Sequence, residues 1–368
     1  MSGEAAGMKI HDASAFHIAI PYSSSGDRRH NRPTQDAVYI RLTLEDGTVG
    51  WGEAFGFASC EIAKFAFDTI VAPMVIGQAF ADPESFVAGL WRRTQGMSRS
   101  GPIAHAISGV EIALWDLLGK TRKLPVYELL GGAKRRRLKA YASLLRIGET
   151  DLIRAECEKA LNLGYRQVKI HERTVEAGEA ARSVIGPDMP LMMDTNCTWS
   201  VTEAEDMIPK LRHLDLTWLE EPIYPPDDYL ALKMLRGSGI SIAAGENIGN
   251  VVHLRHAVAL GALDIVQPSA AKMGGISALL EAARICRSGG VEFHPHSPIY
   301  GLGLMATLHV LASEEEDLSC EFFFTDLADC PIGPLHKPVD GHFEVPEGDG
   351  LGIEVDEDML DHYAFARR

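Results

Sequence analysis

The chain has 368 residues, 46% hydrophobic and 23% charged, and its formal net charge is −16. That composition is globular and supplies apolar material for a large core. A surface this acidic repels nucleic acid and anionic membrane, so neither is an expected partner, and no apolar run reaches the roughly 18 residues of a membrane span.

The chain starts with "MSGEAAGMKI", which carries neither the charged nor the apolar region of a signal peptide and reads as a short lead. Six cysteines, at 60, 157, 197, 286, 320 and 330, form no CxxC pair and read as reduced thiols of a cytoplasmic protein. "DAVYIRLTLEDGTVGWGEAFG" presents two strand-like halves around Asp46-Gly47, a hairpin signal. Three helix-like segments follow, the last within "GVEIALWDLLGKTRKLPVYELLGG". Residues 8–130 are therefore expected to form an α+β domain. "KRRR" at 134–137 reads as a solvated connector.

From Leu138 short apolar runs recur: "LKAYASLL" (138–145), "YRQVKIH" (165–171), "MPLMMD" (189–194), "LTWLEE" (216–221), "ISIAAGE" (240–246), "LDIVQPS" (263–269), "VEFHPH" (291–296) and "LSCEFFF" (318–324). Helix-like segments such as "DLIRAECEKALNLG" lie between them. Eight such units predict a parallel sheet closed into a (β/α)₈ barrel over 138–325. An open doubly wound sheet is the alternative, but no GxGxxG turn follows an early strand. After about residue 326 the chain turns Pro/Gly-rich and then offers "GHFEVPEGDGLGIEV". The segment 326–368 is expected to pack back on the first domain.

"LTWLEEPI" (216–223) ends a buried-looking strand on two adjacent glutamates, which cannot both face the same way. Asp194 ends the third run and Glu246 the fifth, at equal steps on either side of Glu220. Glu220 is thus in phase with both, and Glu221 is expected to turn outward or into contacts that support the site. Barrel active sites sit at the C-terminal strand ends. Three carboxylates converging there repel one another unless a cation lies between them, and all-oxygen ligands favour Mg²⁺ or Mn²⁺. Lys169 and His171 share one strand face as K-x-H, Lys272 follows the sixth run, His296 ends the seventh, and Glu321 lies in the eighth. "HPH" at 294–296 has the spacing of barrel zinc hydrolases, but those carry it on the first strand.

Taken as a set, "DGTVGWGE" (46–53), "EIALWDLLGK…LPVYELLGG" (111–132), "MMDTN" (192–196), "WLEEP" (218–222), "AAGEN" (243–247), "IVQP…KMGG" (265–275) and "PHSPIYG" (295–301) resemble the mandelate racemase/muconate lactonizing enzyme branch of the enolase superfamily. The resemblance spans nearly the whole chain. It implies an α/β fold, a modified TIM barrel of (β/α)7β form under an N-terminal α+β capping domain. It also implies Mg²⁺ held by Asp194, Glu220 and Glu246, and removal of the proton α to a carboxylate through an enediolate that the metal stabilises. Lys169 would add positive charge beside the metal, and Glu321 resembles the acid opposite it, a hydrogen-bond donor if protonated.

Two positions depart from the family pattern. The second lysine of the common K-x-K is His171, which can act as a base near neutral pH. Ser269 stands where an aspartate usually pairs the histidine that His296 resembles, so His296 is expected to be a weaker base. Lys272 resembles the lysine that muconate-lactonizing and dipeptide-epimerase relatives use on the opposite face. His171 and Lys272 are therefore expected on the two faces, with His296 as an acid on a leaving hydroxyl or a substrate partner.

Two loops are expected to read the substrate. "YSSSGDRRHNRP" (22–33) offers Tyr22 and Arg28, and "AFGFAS" (54–59) offers Phe55 and Phe57 as a water-excluding cover. Asn196 is a further substrate contact. The resemblance implies a small carboxylate substrate and a homo-oligomer. "PHSPIYG" resembles the acid-sugar dehydratases, so dehydration of a hydroxy or sugar acid leads. A racemase, an epimerase or a lactone cycloisomerase uses the same chemistry, and a metal-binding homologue without turnover is the remote alternative.

Overall fold

The structure is a computed structural model that describes residues 8–23 and 33–366. The chain opens with a meander of β1 (Met8–Pro21), β2 (Thr34–Leu44) and β3 (Val49–Ala54), and a short β4 (Ala79–Phe80) pairs with β1. Along β2, Val38, Ile40, Leu42 and Leu44 are buried on one face, the two-residue period of a half-covered sheet. They pack on the helix Pro102–Arg122, whose Ile107, Val110, Leu114 and Leu117 complete that core. The sheet and helix approach so closely that a Cβ on Gly52 would lie 2.0 Å from the Gly109 carbonyl oxygen, so that position of "GTVGWGE" must be glycine. The hairpin at Asp46-Gly47 is longer than a two-residue turn. Leu44 N–H donates to Thr48 O (2.9 Å), and Asp46 Oδ1 accepts from Thr48 N–H (2.9 Å).

All eight apolar runs form strands: β5 (Arg137–Leu144), β6 (Val168–Ile170), β7 (Leu191–Asp194), β8 (Trp218–Glu220), β9 (Ile242–Ala244), β10 (Ile265–Val266), β11 (Glu292–Phe293) and β12 (Cys320–Phe324). They pair in parallel in the order β11-β10-β9-β8-β7-β6-β5-β12. Seven main crossover helices separate them, from Thr150–Asn162 to Leu302–Ser313, which is the (β/α)7β form. Tyr141, Met192, Trp218, Ala243 and Ile265 point inward and fill the barrel as one layer. The layer above it is polar and forms the mouth.

Two glutamates of the cap join it to the barrel. Glu111 accepts from Ile276 N–H (2.6 Å) and Ser277 N–H (2.9 Å), the first turn of the helix Gly275–Gly289. Glu53 accepts from Gly303 N–H (2.9 Å) at the start of the helix Leu302–Ser313. Both satisfy orphan donors at helix N-termini.

The last segment touches both halves. β13 (His342–Glu344) pairs antiparallel with β5, while Ala364 bridges to Ile18 and Gly350 to Pro125. The basic connector is clamped rather than free. Arg135 donates to the carbonyls of Glu314, Glu315 and Glu316, and Arg136 pairs with Glu347. These partners lie far away in the sequence, just before β12 and in the C-terminal segment.

Candidate active site

The mouth is built from strand ends. Lys169 lies within β6, fully buried, with Nζ 2.7 Å from Glu220 Oε1, 2.9 Å from Glu321 Oε1 and 3.8 Å from Asp194 Oδ2. Burial opposes its charge, but Glu220, Glu321 and Asp194 together hold the ammonium well above the usual lysine range. His171, just past β6, bonds the Leu144 carbonyl through Nδ1 and sets Nε2 3.1 Å from Asp194 Oδ2. Both ring nitrogens therefore face acceptors and donate in this arrangement.

Asp194 ends β7 and accepts from Asn196 N–H (2.7 Å) and Nδ2 (2.9 Å). Burial pushes its carboxyl up, but His171 and Lys169 outweigh that and leave it lowered. Glu220 ends β8 as the register partner of Asp194. Burial pushes its carboxyl up to about 7 despite Lys169, and Trp218 Nε1–H donates to its second oxygen at 2.9 Å. Glu221 turns away in the left-handed region (φ 41°) yet stays buried, accepting from Asn247 Nδ2 and from the Cys197 thiol. Burial, then Glu246 and Asp194, push its carboxyl well above the usual carboxylate range.

The opposite side carries Glu246, His296 and Lys272. His296 Nε2 lies 2.6 Å from Glu246 Oε2. Lys272 Nζ donates to the Glu246 carbonyl (2.9 Å) and sits 4.2 Å over the Phe55 ring. Burial opposes the Glu246 charge, but His296 and Lys272 hold its carboxyl well below the usual range. In the strand order, β10, which precedes Lys272, lies four strands from β6. In an eight-stranded barrel that is the far side, so His171 and Lys272 face each other across the mouth. Ser269 Oγ and His296 Nδ1 have no partner among the described residues, so the serine does not replace the expected aspartate.

Four of the seven non-glycine residues at positive φ among those described border this mouth: Phe57, Asn196, Cys197 and Glu221. Each such conformation costs roughly 1–3 kcal/mol, which tightly packed surroundings must offset. Above the floor lies a cleft of about 330 Å³. Phe55, Phe57, Pro298 and Phe323 give it apolar walls, and Asn196, Glu321 and His296 reach it from below.

At Glu321 burial would raise the carboxyl, but Lys169 and His296 pull it down to about 2, and its oxygens accept from Lys169 Nζ (2.9 Å) and Ser297 N–H (3.0 Å). Tyr22 does not line the cleft, and its hydroxyl donates to Gln35 (2.7 Å). Arg28 lies outside the described residues. Asp194, Glu220 and Glu246 occupy neighbouring strand ends, but their oxygens do not gather. Among the described residues the one set of three ligand-type atoms mutually within 4.8 Å is His17, Asp36 and Cys60, in the cap. Each mouth carboxylate is instead turned onto a protein cation. Two cleft residues were missed, Arg146 and Arg173. Arg173 continues the two-residue phase of Lys169 and His171, a signal readable in "KIHER".

An α+β cap over a (β/α)7β barrel, with acids at successive strand ends, defines the enolase-type capped barrel. Residues 16–131 match the family described as mandelate racemase/muconate lactonizing enzyme, N-terminal domain, and residues 152–359 match the enolase C-terminal domain-like family. The chain belongs to the mandelate racemase/muconate lactonizing enzyme family of the enolase superfamily. It is 29% identical to D-galactarolactone cycloisomerase of Agrobacterium fabrum, over 94% of this chain and 95% of that protein. It is 28% identical to arabinonate dehydratase of Saccharolobus solfataricus, over 89% and 90%. It is 30% identical to the crystal structure of a mandelate racemase/muconate lactonizing protein from Paracoccus denitrificans complexed with magnesium, with a TM-score of 0.84, covering 97% of this chain and 98% of that one.

Proposed function

We propose that this mouth removes the proton α to the carboxylate of a small hydroxy or sugar acid and then expels a β-hydroxyl as water. The observation that carries the reading is the placement of His171 and Lys272 across the mouth, with buried carboxylates and Lys169 on the floor between them. Three buried carboxylates are hard oxygen donors and suit Mg²⁺, with Mn²⁺ as a substitute, and Asp194, Glu220 and Glu246 are the residues that would hold it. A divalent cation there supplies the positive charge that offsets a second negative charge growing on the substrate carboxylate. Gathering the three requires Glu246 to leave His296.

The chain's own groups do the rest. Lys169 adds fixed positive charge beside the substrate carboxylate. In its neutral form, with Nδ1–H kept on the Leu144 carbonyl, His171 takes the α-proton at Nε2, the proton that Nε2 shares with Asp194 at rest having first passed to water. His296, released by Glu246, gives a proton to the leaving hydroxyl, so that water departs and the enol product tautomerises to a 2-keto-3-deoxy acid. Phe55 and Phe57 close the cleft against bulk water. The second reading is a racemase, epimerase or lactone cycloisomerase, favoured by Lys272, which can return a proton to the opposite face. The relatives are consistent with both readings, since one is named a dehydratase and one a cycloisomerase. No helix among the described residues is long and apolar enough to cross a membrane. The cysteines form no disulfide among the described residues, which suits a cytoplasmic enzyme, and the family resemblance suits a homo-oligomer.

The test is proton exchange in D₂O with Mg²⁺ and a library of sugar acids, hydroxy acids, amino acids and lactones, read by NMR. A 2-keto-3-deoxy product supports dehydration. Deuterium at the α-carbon with inverted configuration and no new compound supports the second reading. No exchange with any acid sinks both.

A further inference from the structure

Outside the mouth, one group of metal-binding side chains has no part in the reaction above. It lies in the cap. A ring nitrogen of His17, a carboxylate oxygen of Asp36 and the Cys60 sulfur all lie within 4.8 Å of one another. Three segments bring them together: β1, β2 and the first residue of the helix Cys60–Ala66. Asp36 pairs with Ala19 in the β1–β2 ladder, so His17 and Asp36 are diagonal neighbours on one face of the sheet. None of the three lines the catalytic cleft.

Imidazole nitrogen, thiolate and carboxylate oxygen are the donors that zinc takes, at about 2.0–2.3 Å, which sets tetrahedral donors about 3.3–3.8 Å apart. His17 Nε2 and Asp36 Oδ2 already lie 3.2 Å apart, so the thiol has to close in by at most about 1 Å. Its described bond, to the Phe57 carbonyl at 3.4 Å, is a weak one to exchange. The other two ligands have outer support. The His17 ring stacks on Phe365 at 4.2 Å, and Asp36 Oδ1 accepts from Thr34 Oγ1 (2.8 Å), which leaves Oδ2 for the ion. His17 and Cys60 are buried, and a thiolate with a carboxylate cancels the two charges of the ion, so the filled site carries no net charge out of water. A cleft of about 810 Å³, lined by His17 together with Lys64 and Asp361, gives an entry path and a water for the fourth position. We propose that His17, Asp36 and Cys60 form a zinc site in the cap. On binding, the thiol proton passes to solvent and the ring proton of His17 rests on Nδ1. The thiolate sets this site apart from the all-oxygen mouth and its preference for Mg²⁺. The ion ties β1 and β2 to the segment that follows Phe55 and Phe57.

Cobalt(II) tests this, because a thiolate bound to it gives a near-ultraviolet charge-transfer band that carboxylates do not give. The full chain, stripped of metal and then held in excess Mg²⁺ to occupy the mouth, should take up one equivalent of Co²⁺ with that band, and Zn²⁺ should displace it. Cys60→Ser should abolish the band. His17→Gln should weaken Zn²⁺ binding by more than about 100-fold in calorimetry, and Cys197→Ser, beside the mouth, should change neither readout. The wild-type spectrum and the His17→Gln titration decide the case even if Cys60→Ser does not fold. No band in the wild type, a band that Cys197→Ser removes, or a Zn²⁺ affinity that His17→Gln leaves unchanged overturns the site. None of these readouts depends on turnover, so the result stands apart from the function proposed above.

Discussion

Two sets of buried acids divide this molecule. At the joint between cap and barrel, Glu53 and Glu111 are held by backbone N–H groups at helix N-termini. Asp116, on the same cap helix as Glu111, accepts from Trp51 N–H, Leu351 N–H and Lys120. At the mouth, Asp194, Glu220, Glu246 and Glu321 are held mainly by the side chains Lys169, His171, His296 and Lys272. Backbone donors cannot move without unwinding a helix, so the joint acids are locked into structure. Side-chain cations can rotate, so the mouth acids can exchange partners for a metal or a substrate. Burial of an acid, which raises Glu53, Glu111 and Glu220 alike to about 7, does not by itself mark a site. What marks it is whether the partners can leave.

The largest effect should come from His171→Ala. Loss of the base should lower α-proton exchange by about 10²- to 10⁴-fold, while Mg²⁺ binding measured by calorimetry stays within a few-fold. If metal binding falls with exchange, His171 belongs to the floor rather than to the chemistry.

Next is Lys169→Met, which strands Glu220 and Glu321 without their shared cation. Breaking such a buried pair should cost about 3–5 kcal/mol in urea unfolding. A variant as stable as the wild type would mean that the mouth acids shed their charge easily, and the contrast with the joint would blur.

The joint itself is tested by pH. The folded-state value of Glu111, about 7, lies above its ordinary value of 4.5, so the folded protein holds that proton more tightly. The contribution is therefore full below about pH 4.5 and is lost as pH rises through about 7, by about 3 kcal/mol at most. Glu111→Gln should be less stable at pH 5, having lost a backbone acceptor, but should decline less steeply between pH 5 and 8. An unchanged slope would show that the joint carboxyl does not titrate in this range.

The smallest effect is that of the metal on stability. Mg²⁺ at about 100 times its dissociation constant should raise the unfolding free energy by about 2.7 kcal/mol, and chelation should remove that gain. Glu111→Gln should keep the full Mg²⁺ gain, and Glu246→Gln should lose most of it. Equal gains in both would place the ion elsewhere.

Much of this was legible in the chain. Eight apolar runs became eight parallel strands, because a buried strand shows as a short apolar stretch whatever surrounds it. The shared phase of Asp194 and Glu220 is real: the two are register partners on neighbouring strands. The Asp46-Gly47 hairpin was located, though not its longer loop, since loop length depends on how β2 and β3 meet the cap helix. Glu53 and Glu111 raised no signal, because their partners are backbone groups 250 and 165 residues away, respectively. The bond from the Tyr22 hydroxyl to Gln35 raised no signal, because a hydroxyl's partner is decided by the neighbouring strand.

Local pattern was enough for the barrel, the cap and the strand-end positions of the acids, since periodicity and strand phase are properties of short segments. Protonation and pairing needed the assembled molecule. That Glu321 is pulled down, that Glu221 is pushed up, and that Glu246 is turned onto His296 all depend on burial and on charges brought together from separate strands. Electrostatic energy falls off with distance in space, not along the chain, and in a buried mouth a few ångströms decide which acid keeps its proton.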